Sequence, residues 1–556
     1  MIFGPTPLAQ AEGAILAHSL KQGDIVFKKG RRLSADDVRS LREAQIHEVI
    51  AARLEDGDLH EDEAARQLAA AAAGPGAKVS EAFTGRCNLI AETQGLVQIE
   101  AERLDALNLV DEALTIATLP DLEPVEPRQM LATVKIIPFA APVAALARCL
   151  EIAQGGDGGS DGGGSDGSRN AGGPPLVRVA PFAARRVGLV QTRLPGQKQS
   201  LFDKTRDVLD RRLAALGSAA CLERRCGHEE AEVAAAVASL RAAGCEVLLV
   251  SGASAIVDRR DVVPAGIERA GGRVRHFGMP VDPGNLLLLA DWEGLPVLGL
   301  PGCARSPKIN GFDWVLQRIA AGIAVVPEDV MRMGVGGLLK EIGGRPLPRA
   351  EAVEKTAAKR APRIAALVLA AGQSRRYGAE NKLLVELEGK PLVQRAVEAA
   401  QASQADRVLL VTGHARTEVE AAVAETGVPS QHNPDYAQGL STSLRRGLAG
   451  LPEEVDGVVV LLGDMPKIDA KTIDKLIAAF DPLEGRAICI PTSQGKRGNP
   501  VLFARRFFAE AMEIAGDVGA KPLIADHADQ VAEVPVEGEA VLLDVDTPAA
   551  LARLKS

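Results

Sequence analysis

The segment Leu369-Ala-Ala-Gly-Gln-Ser-Arg-Arg-Tyr-Gly378, with Asn381-Lys382 close behind, combines what a bound triphosphate needs. Small residues (Ala370, Ala371, Gly372, Gly378) let the backbone come within reach of phosphate oxygens. Ser374 adds a hydroxyl, and Arg376 and Lys382 bring neutralising charge. Taken singly, these glycines are turn formers; together with Ser374, Arg376 and Lys382 they read as a phosphate cradle. The segment matches neither G-x-x-x-x-G-K-[ST] nor G-x-G-x-x-G, which counts against ATPase and dehydrogenase chemistry.

Two acidic segments offer a partner for such a cradle. In Leu461-Leu-Gly-Asp-Met-Pro466 an apolar run delivers Asp464 to its end, the place where open α/β sheets bind ligands. Transfer at a phosphate builds negative charge, and a hard dication such as Mg²⁺ on one or two carboxylates answers it. Leu543-Asp-Val-Asp-Thr-Pro548 puts Asp544 and Asp546 two residues apart, on one side of an extended segment, and either can complete a metal site with Asp464. The plainer alternative for each acid is a helix start. Cys489 reads as a buried apolar filler, because a phosphate acceptor attacks directly and needs no enzyme nucleophile.

These groups need rigid carriers. After residue 364, the short apolar runs Ala365 to Leu369, Val408 to Val411, Val458 to Leu462 and Ala487 to Ile490 alternate with helix-length segments, which predicts an open α/β sheet. Residues 176 to 340 repeat the rhythm, with Val247 to Val250 and Val297 to Leu300 as strands and Asp203 to Leu216 as a helix. The first 150 residues hold a strand at Asp24 to Phe27 and a helix at Ser34 to Ala44 with acid in its first turn. A Gly/Ser/Asp-rich stretch at 155–175 reads as a flexible linker, and 344–363 as a second linker. The expected organisation is 1–154, 176–343 and 364–556, in line with roughly 150 residues per domain.

The C-terminal third resembles the nucleotidyltransferase superfamily, whose signature is similar to LAAGxSxRxGxxxxK. Three further segments, Asn433 to Ser443, Gly498 to Phe503 and Gly516 to Ala520, make it most similar to the molybdenum-cofactor cytidylyltransferase branch. The resemblance implies an open, mostly parallel Rossmann-like sheet. It gives Arg376, Lys382 and Asp464 catalytic roles, and places Leu369, Ala370, Ala371, Gly372, Ser374 and Gly378 at the nucleotide. Pterin contacts fall to Asn433, Ser441, Ser443, Gly498 and Asn499. The pair Ala370-Ala371 follows the cytidylyl pattern, where guanylyltransferases read LAGG, so CTP is the expected nucleotide, with Mg²⁺ as cofactor.

Between the linkers, Ser251-Gly-Ala-Ser254 with Asp258 and Asp261, Pro280 to Gly284 and Leu300 to Ser306 resemble the molybdopterin-binding domain of molybdotransferases. That resemblance implies an α/β domain in which Gly252 and Ser254 receive phosphate and Asp258 or Asp261 positions pterin, molybdate or a metal. The N-terminal segment is similar to accessory α+β portions of such proteins. His18 and His60 have no further ligand at metal spacing and read as surface groups, as does the charged run Lys28 to Arg32.

Composition sets the exclusions. Over 556 residues, hydrophobic residues at 46% and charged residues at 25% suit a folded multidomain chain. A net charge of −9 offers no basic face for nucleic acid. Cys87, Cys149, Cys221, Cys226, Cys245, Cys303 and Cys489 form no CxxC pair, and with no membrane-length apolar run the expected setting is the reducing cytoplasm. The expected function is a fused enzyme that cytidylylates molybdopterin. Its partners are CTP, molybdopterin and a recipient molybdoenzyme or its chaperone; the alternatives are a sugar- or alditol-phosphate nucleotidyltransferase and a non-catalytic cofactor carrier.

Overall fold

The computed structural model describes residues 1–22, 25–155, 173–339, 360–374, 377, 381–514, 516, 519–545 and 547–555. Most of the Gly/Ser/Asp-rich stretch, most of the second break, and the candidate residues Arg376, Gly378 and Asp546 lie outside that set.

The first 53 residues build a small sheet of their own, Glu48–Arg53 lying between Ile2–Pro7 and Ile15–Leu16, closed by the helix Ala35–Glu43. The acid in that helix's first turn is a reciprocal cap: Asp37 N–H donates to the Ser34 hydroxyl, and Ser34 N–H donates to the Asp37 carboxylate.

A second unit follows, in which Leu114–Thr118, Met130–Ile136, Arg86–Ala91 and Ala77–Val79 form an antiparallel sheet under the helices Glu61–Ala72 and Val143–Ala153. Val177–Pro181, expected in the middle domain, instead pairs antiparallel with Gly95–Ile99. The reason is its alternation: Val177 and Val179 point into the core of the second unit. Gly95 permits the pairing, since a Cβ there would fall 2.2 Å from the Ala180 carbonyl oxygen.

Glu61 is almost fully buried at the start of its helix. Burial, reinforced by the charge of Asp62, pushes its carboxyl up to about 7 against the pull of Lys135 and Lys29. The folded protein therefore holds this proton more tightly than the unfolded chain. The resulting penalty is absent below the ordinary carboxyl range, grows between pH 4.5 and about 7, and levels off above, at roughly 3 kcal/mol or less. Glu61→Gln is expected to melt above wild type at pH 8, with the gap closing toward pH 5. Melting curves at the two pH values check this, and a variant that melts lower at pH 8 would mean the pull of Lys135 and Lys29 outweighs burial.

The middle unit is a six-stranded sheet. Leu222–Gly227, Val187–Arg193, Val247–Ser251 and Leu295–Gly299 run parallel, and Leu288–Trp292 and Arg273–Phe277 continue it antiparallel. The helices Gln199–Ala215 and Gly311–Ala320 cover one face, while Glu230–Ala242 and Val262–Arg269 cover the other.

In the C-terminal unit Ser430–His432, Arg407–Thr412, Ile364–Ala370 and Gly457–Leu462 lie side by side and parallel. Val501–Ala504 runs against Gly457–Leu462, Ile488–Ser493 follows, and Val531–Pro535 pairs with Ile488–Ser493 at the far edge. All seven residues of Ile364–Ala370 are buried, as an unbroken apolar run in a covered parallel sheet requires. Cys489 is fully buried there and its thiol is pushed up to about 12 by burial, which suits a packing role.

The first two units also touch this sheet. Lys28 donates to the carbonyls of Ala528 and Val531, and Arg31 sits 3.9 Å from Glu533. Arg128 pairs with Asp406 and donates to the Pro362 carbonyl at 2.6 Å. The last residues of the second sequence break are thus held in place: Ala361 N–H donates to Arg128, and Arg360 bridges to Gln129. No described helix is long and apolar enough to cross a membrane.

Candidate active site at the carboxyl edge of the C-terminal sheet

Ile364–Ala370 and Gly457–Leu462 are neighbours, so the loops leaving their carboxyl ends meet. Gly463 N–H donates to the Leu369 carbonyl at 3.0 Å, which ties Asp464 to the start of the phosphate loop. Lys382 Nζ donates to Asp464 Oδ2 at 2.5 Å, the two side chains being 14% and 15% exposed. Asp464 Oδ1 is buried and has no hydrogen-bond partner among the described residues. A buried carboxylate oxygen without a donor is costly unless a cation or a ligand completes it.

The loop between them is closed by its own polar groups. Ser374 has a positive φ of 51°, sparsely populated by a residue with a Cβ. There its hydroxyl donates to Asn381 Oδ1 at 3.1 Å and accepts Lys382 N–H at 3.1 Å, while Leu383 N–H donates to the same Asn381 oxygen. The sequence reading gave Asn381 no role; its signal was an Asn capping the turn Lys382–Leu384. At Gly372 a Cβ would meet no atom of the described residues within 4 Å. Ala371 is buried, its carbonyl accepts His414 N–H, and a Cβ at Gly413 would crowd it at 2.7 Å.

The second acidic segment arrives from the other side. Val545 N–H donates to the Asp464 carbonyl at 3.0 Å, and Asp544 beside it is exposed. Gly498 and Asn499 join this segment: Asn499 N–H donates to the Val541 carbonyl at 3.0 Å, and a Cβ on Gly498 would lie 2.2 Å from that same oxygen. The two loops therefore share a path to Asp464. No cluster of three or more His, Cys, Asp or Glu side chains able to hold a metal gathers among the described residues.

Asn433, Ser441 and Ser443 all lie at the start of the helix Leu440–Ala449 or packed on it, and all are buried. Asn433 donates to the hydroxyls of Thr442 and Ser443 at 2.9 and 3.0 Å and accepts Asp435 N–H, so its amide organises the loop. Ser441 Oγ has no partner among the described residues. The middle unit's candidates sit elsewhere, past Val247–Ser251. Gly252 accepts from Arg305 at 2.7 Å. Asp261 accepts Val257 and Asp258 N–H groups, and Asp258 accepts Arg260; both carboxylates are engaged in the turn that starts the helix Val262–Arg269.

Comparison with known proteins returns two family matches. Residues 366–531 match the MobA-like NTP transferase domain, and residues 5–53 match a domain of unknown function, DUF8806. The chain is 28% identical over 188 residues to the molybdenum cofactor cytidylyltransferase of Escherichia coli (strain K12), covering 33% of this chain and 92% of that protein. It is 30% identical over 204 residues to the purine catabolism protein PucB of Bacillus subtilis (strain 168), covering 34% of this chain and 94% of PucB. It is also 33% identical over 148 residues to the bifunctional protein GlmU of Rhizorhabdus wittichii, which spans 26% of this chain and 32% of that one.

Proposed function

Because the chain belongs to the MobA-like NTP transferase family, we propose that its C-terminal domain transfers CMP from CTP to the phosphate of molybdopterin, giving a cytosine dinucleotide and pyrophosphate. The observation that carries the reading is the Lys382–Asp464 pair in the loops that follow two adjacent strands, with one Asp464 oxygen buried and without a hydrogen-bond partner among the described residues. The donor set fits a hard dication. Asp464, with Asp544 or Asp546, would hold Mg²⁺, which when bound supplies charge stabilisation at the phosphates.

The chain's own residues do the rest. The loop from Leu369 through Gly372 to Ser374, with Gly378, receives the triphosphate, and Lys382 and Arg376 neutralise it. The acceptor phosphate is aligned for in-line attack on the α-phosphate, without an enzyme nucleophile. Asn433, Ser441, Ser443, Gly498 and Asn499 line the acceptor's side. The middle unit, through Gly252, Asp258 and Asp261, is a molybdopterin-binding module that supplies the acceptor, with 1–154 as its accessory region.

Likeness to the Escherichia coli cytidylyltransferase over nearly its whole length supports this acceptor. The alternative acceptor is a sugar or alditol phosphate. Purified protein with molybdopterin, Mg²⁺ and each nucleoside triphosphate, assayed for pyrophosphate, separates them, because a sugar-phosphate enzyme gives no pterin-dependent release. With Ala370-Ala371 at the base-proximal turn, CTP is expected to outcompete GTP clearly in that assay. A preference for GTP would overturn the cytidylyl assignment.

A further inference from the structure

Away from the nucleotide site, three adjacent parallel strands of the middle sheet deliver a chain of polar side chains to one edge. Thr192 lies at the end of Val187–Arg193, His228 directly follows Leu222–Gly227, and Ser254 follows Val247–Ser251. Ser254 Oγ is 3.1 Å from His228 Nε2, and His228 Nδ1 is 2.9 Å from Thr192 Oγ1. Thr192 is buried, and its oxygen accepts Ala253 N–H at 2.7 Å; the backbone of His228 is anchored to the Arg193 carbonyl at 3.1 Å. The imidazole is thus held from one side by a fixed hydroxyl, while Ser254 on the other side is exposed.

A cation completes the edge. Arg305 donates to the Gly252 carbonyl at 2.7 Å, two residues before Ser254, and no carboxylate pairs with it among the described residues. Burial disfavours its charge, with no offsetting partner. Such a guanidinium calls for an anion.

We propose that Ser254, His228 and Arg305 form a second catalytic centre, a serine hydrolase site for carboxylic esters that carry an anionic group. Thr192 Oγ1 takes the Nδ1 hydrogen as its second donor, which leaves Nε2 free to accept the Ser254 proton. Ser254 Oγ attacks the carbonyl carbon as that proton passes to Nε2. The ester C–O bond breaks, and the alcohol leaves with the proton. Water, deprotonated by the same nitrogen, then attacks the acyl-serine; the bond to Oγ breaks, the carboxylic acid departs, and Oγ recovers its proton. Arg305 binds the substrate's anionic group, and Thr192 is a positioning residue.

The test uses the full chain and a fluorophosphonate probe, with the labelled peptide identified by mass spectrometry. Label is expected on Ser254, absent in Ser254→Ala and slowed about 100-fold in a folded His228→Gln. Thr192→Ser is expected to keep labelling that Thr192→Val loses. p-Nitrophenyl hemisuccinate should be hydrolysed faster than p-nitrophenyl acetate, with that preference lost in Arg305→Gln. Wild-type protein that gains no more label at Ser254 than its heat-unfolded form overturns the proposal, whatever the variants do. So does unchanged labelling in His228→Gln. Turnover of p-nitrophenyl phosphate in place of both esters overturns the substrate class.

Discussion

Asp464→Asn is expected to lower the rate of pyrophosphate release by about 100-fold or more and to leave the melting temperature nearly unchanged. The amide keeps the volume of the side chain and an acceptor for Lys382, whose ammonium now bonds Asp464 Oδ2. What it removes is the negative charge, and with it the buried oxygen that has no donor among the described residues. An interaction that matters where charge builds up shows in turnover far more than in folding. Rates with CTP and melting curves for the variant beside wild type decide it. Near-normal turnover in a folded Asp464→Asn protein would take this residue out of the reaction and revive the carrier reading.

Gly372→Ala should be equally severe for activity and silent for the fold. Its φ does not lie in the left-handed region, and a Cβ there would meet no atom of the described residues within 4 Å. Alanine therefore costs the free protein almost nothing. On the proposed reading that space is where the loop's backbone approaches phosphate oxygens, and displacement of a triphosphate by about 1 Å can cost 100-fold in rate. The expected outcome is kcat/KM for CTP down by about 100-fold at an unchanged melting temperature. Gly498→Ala supplies the contrast, since its Cβ would meet the Val541 carbonyl at 2.2 Å; melting and activity should fall together, by about 1–3 kcal/mol for the fold. A Gly372→Ala enzyme of normal kcat/KM would show that the triphosphate does not pass over this turn.

The C-terminal strands were legible because a covered parallel strand must be apolar throughout, as Ile364–Ala370 is. That the loop after Ile364–Ala370 and Asp464 meet was legible because both segments follow apolar strands whose carboxyl ends share one side of the sheet. Asn381 was not, because a side chain that closes a loop by accepting two hydrogen bonds leaves no spacing pattern. Nor was the meeting of Gly498 with Val541, or of Val545 with Asp464: these are contacts between segments far apart in the chain, set by the order of strands across the sheet. Val177–Pro181 misled because periodicity tells which face of a strand is buried but not which sheet it joins. The Thr192–His228–Ser254 relay escaped for the same reason, its three members coming from three different strands.

Among the described residues Val531–Pro535 pairs on one side only, with Ile488–Ser493, and Lys28 bonds the carbonyls of Ala528 and Val531 from some 500 residues away in sequence. An uncovered edge is an invitation to a second chain. Protein synthesis runs from the amino terminus, so the small N-terminal unit that carries Lys28 and Arg31 is made, and free to fold, before the last strand of the C-terminal sheet leaves the ribosome. The guard for the final edge thus exists before the edge does, and a C-terminal domain produced by itself would have to do without it.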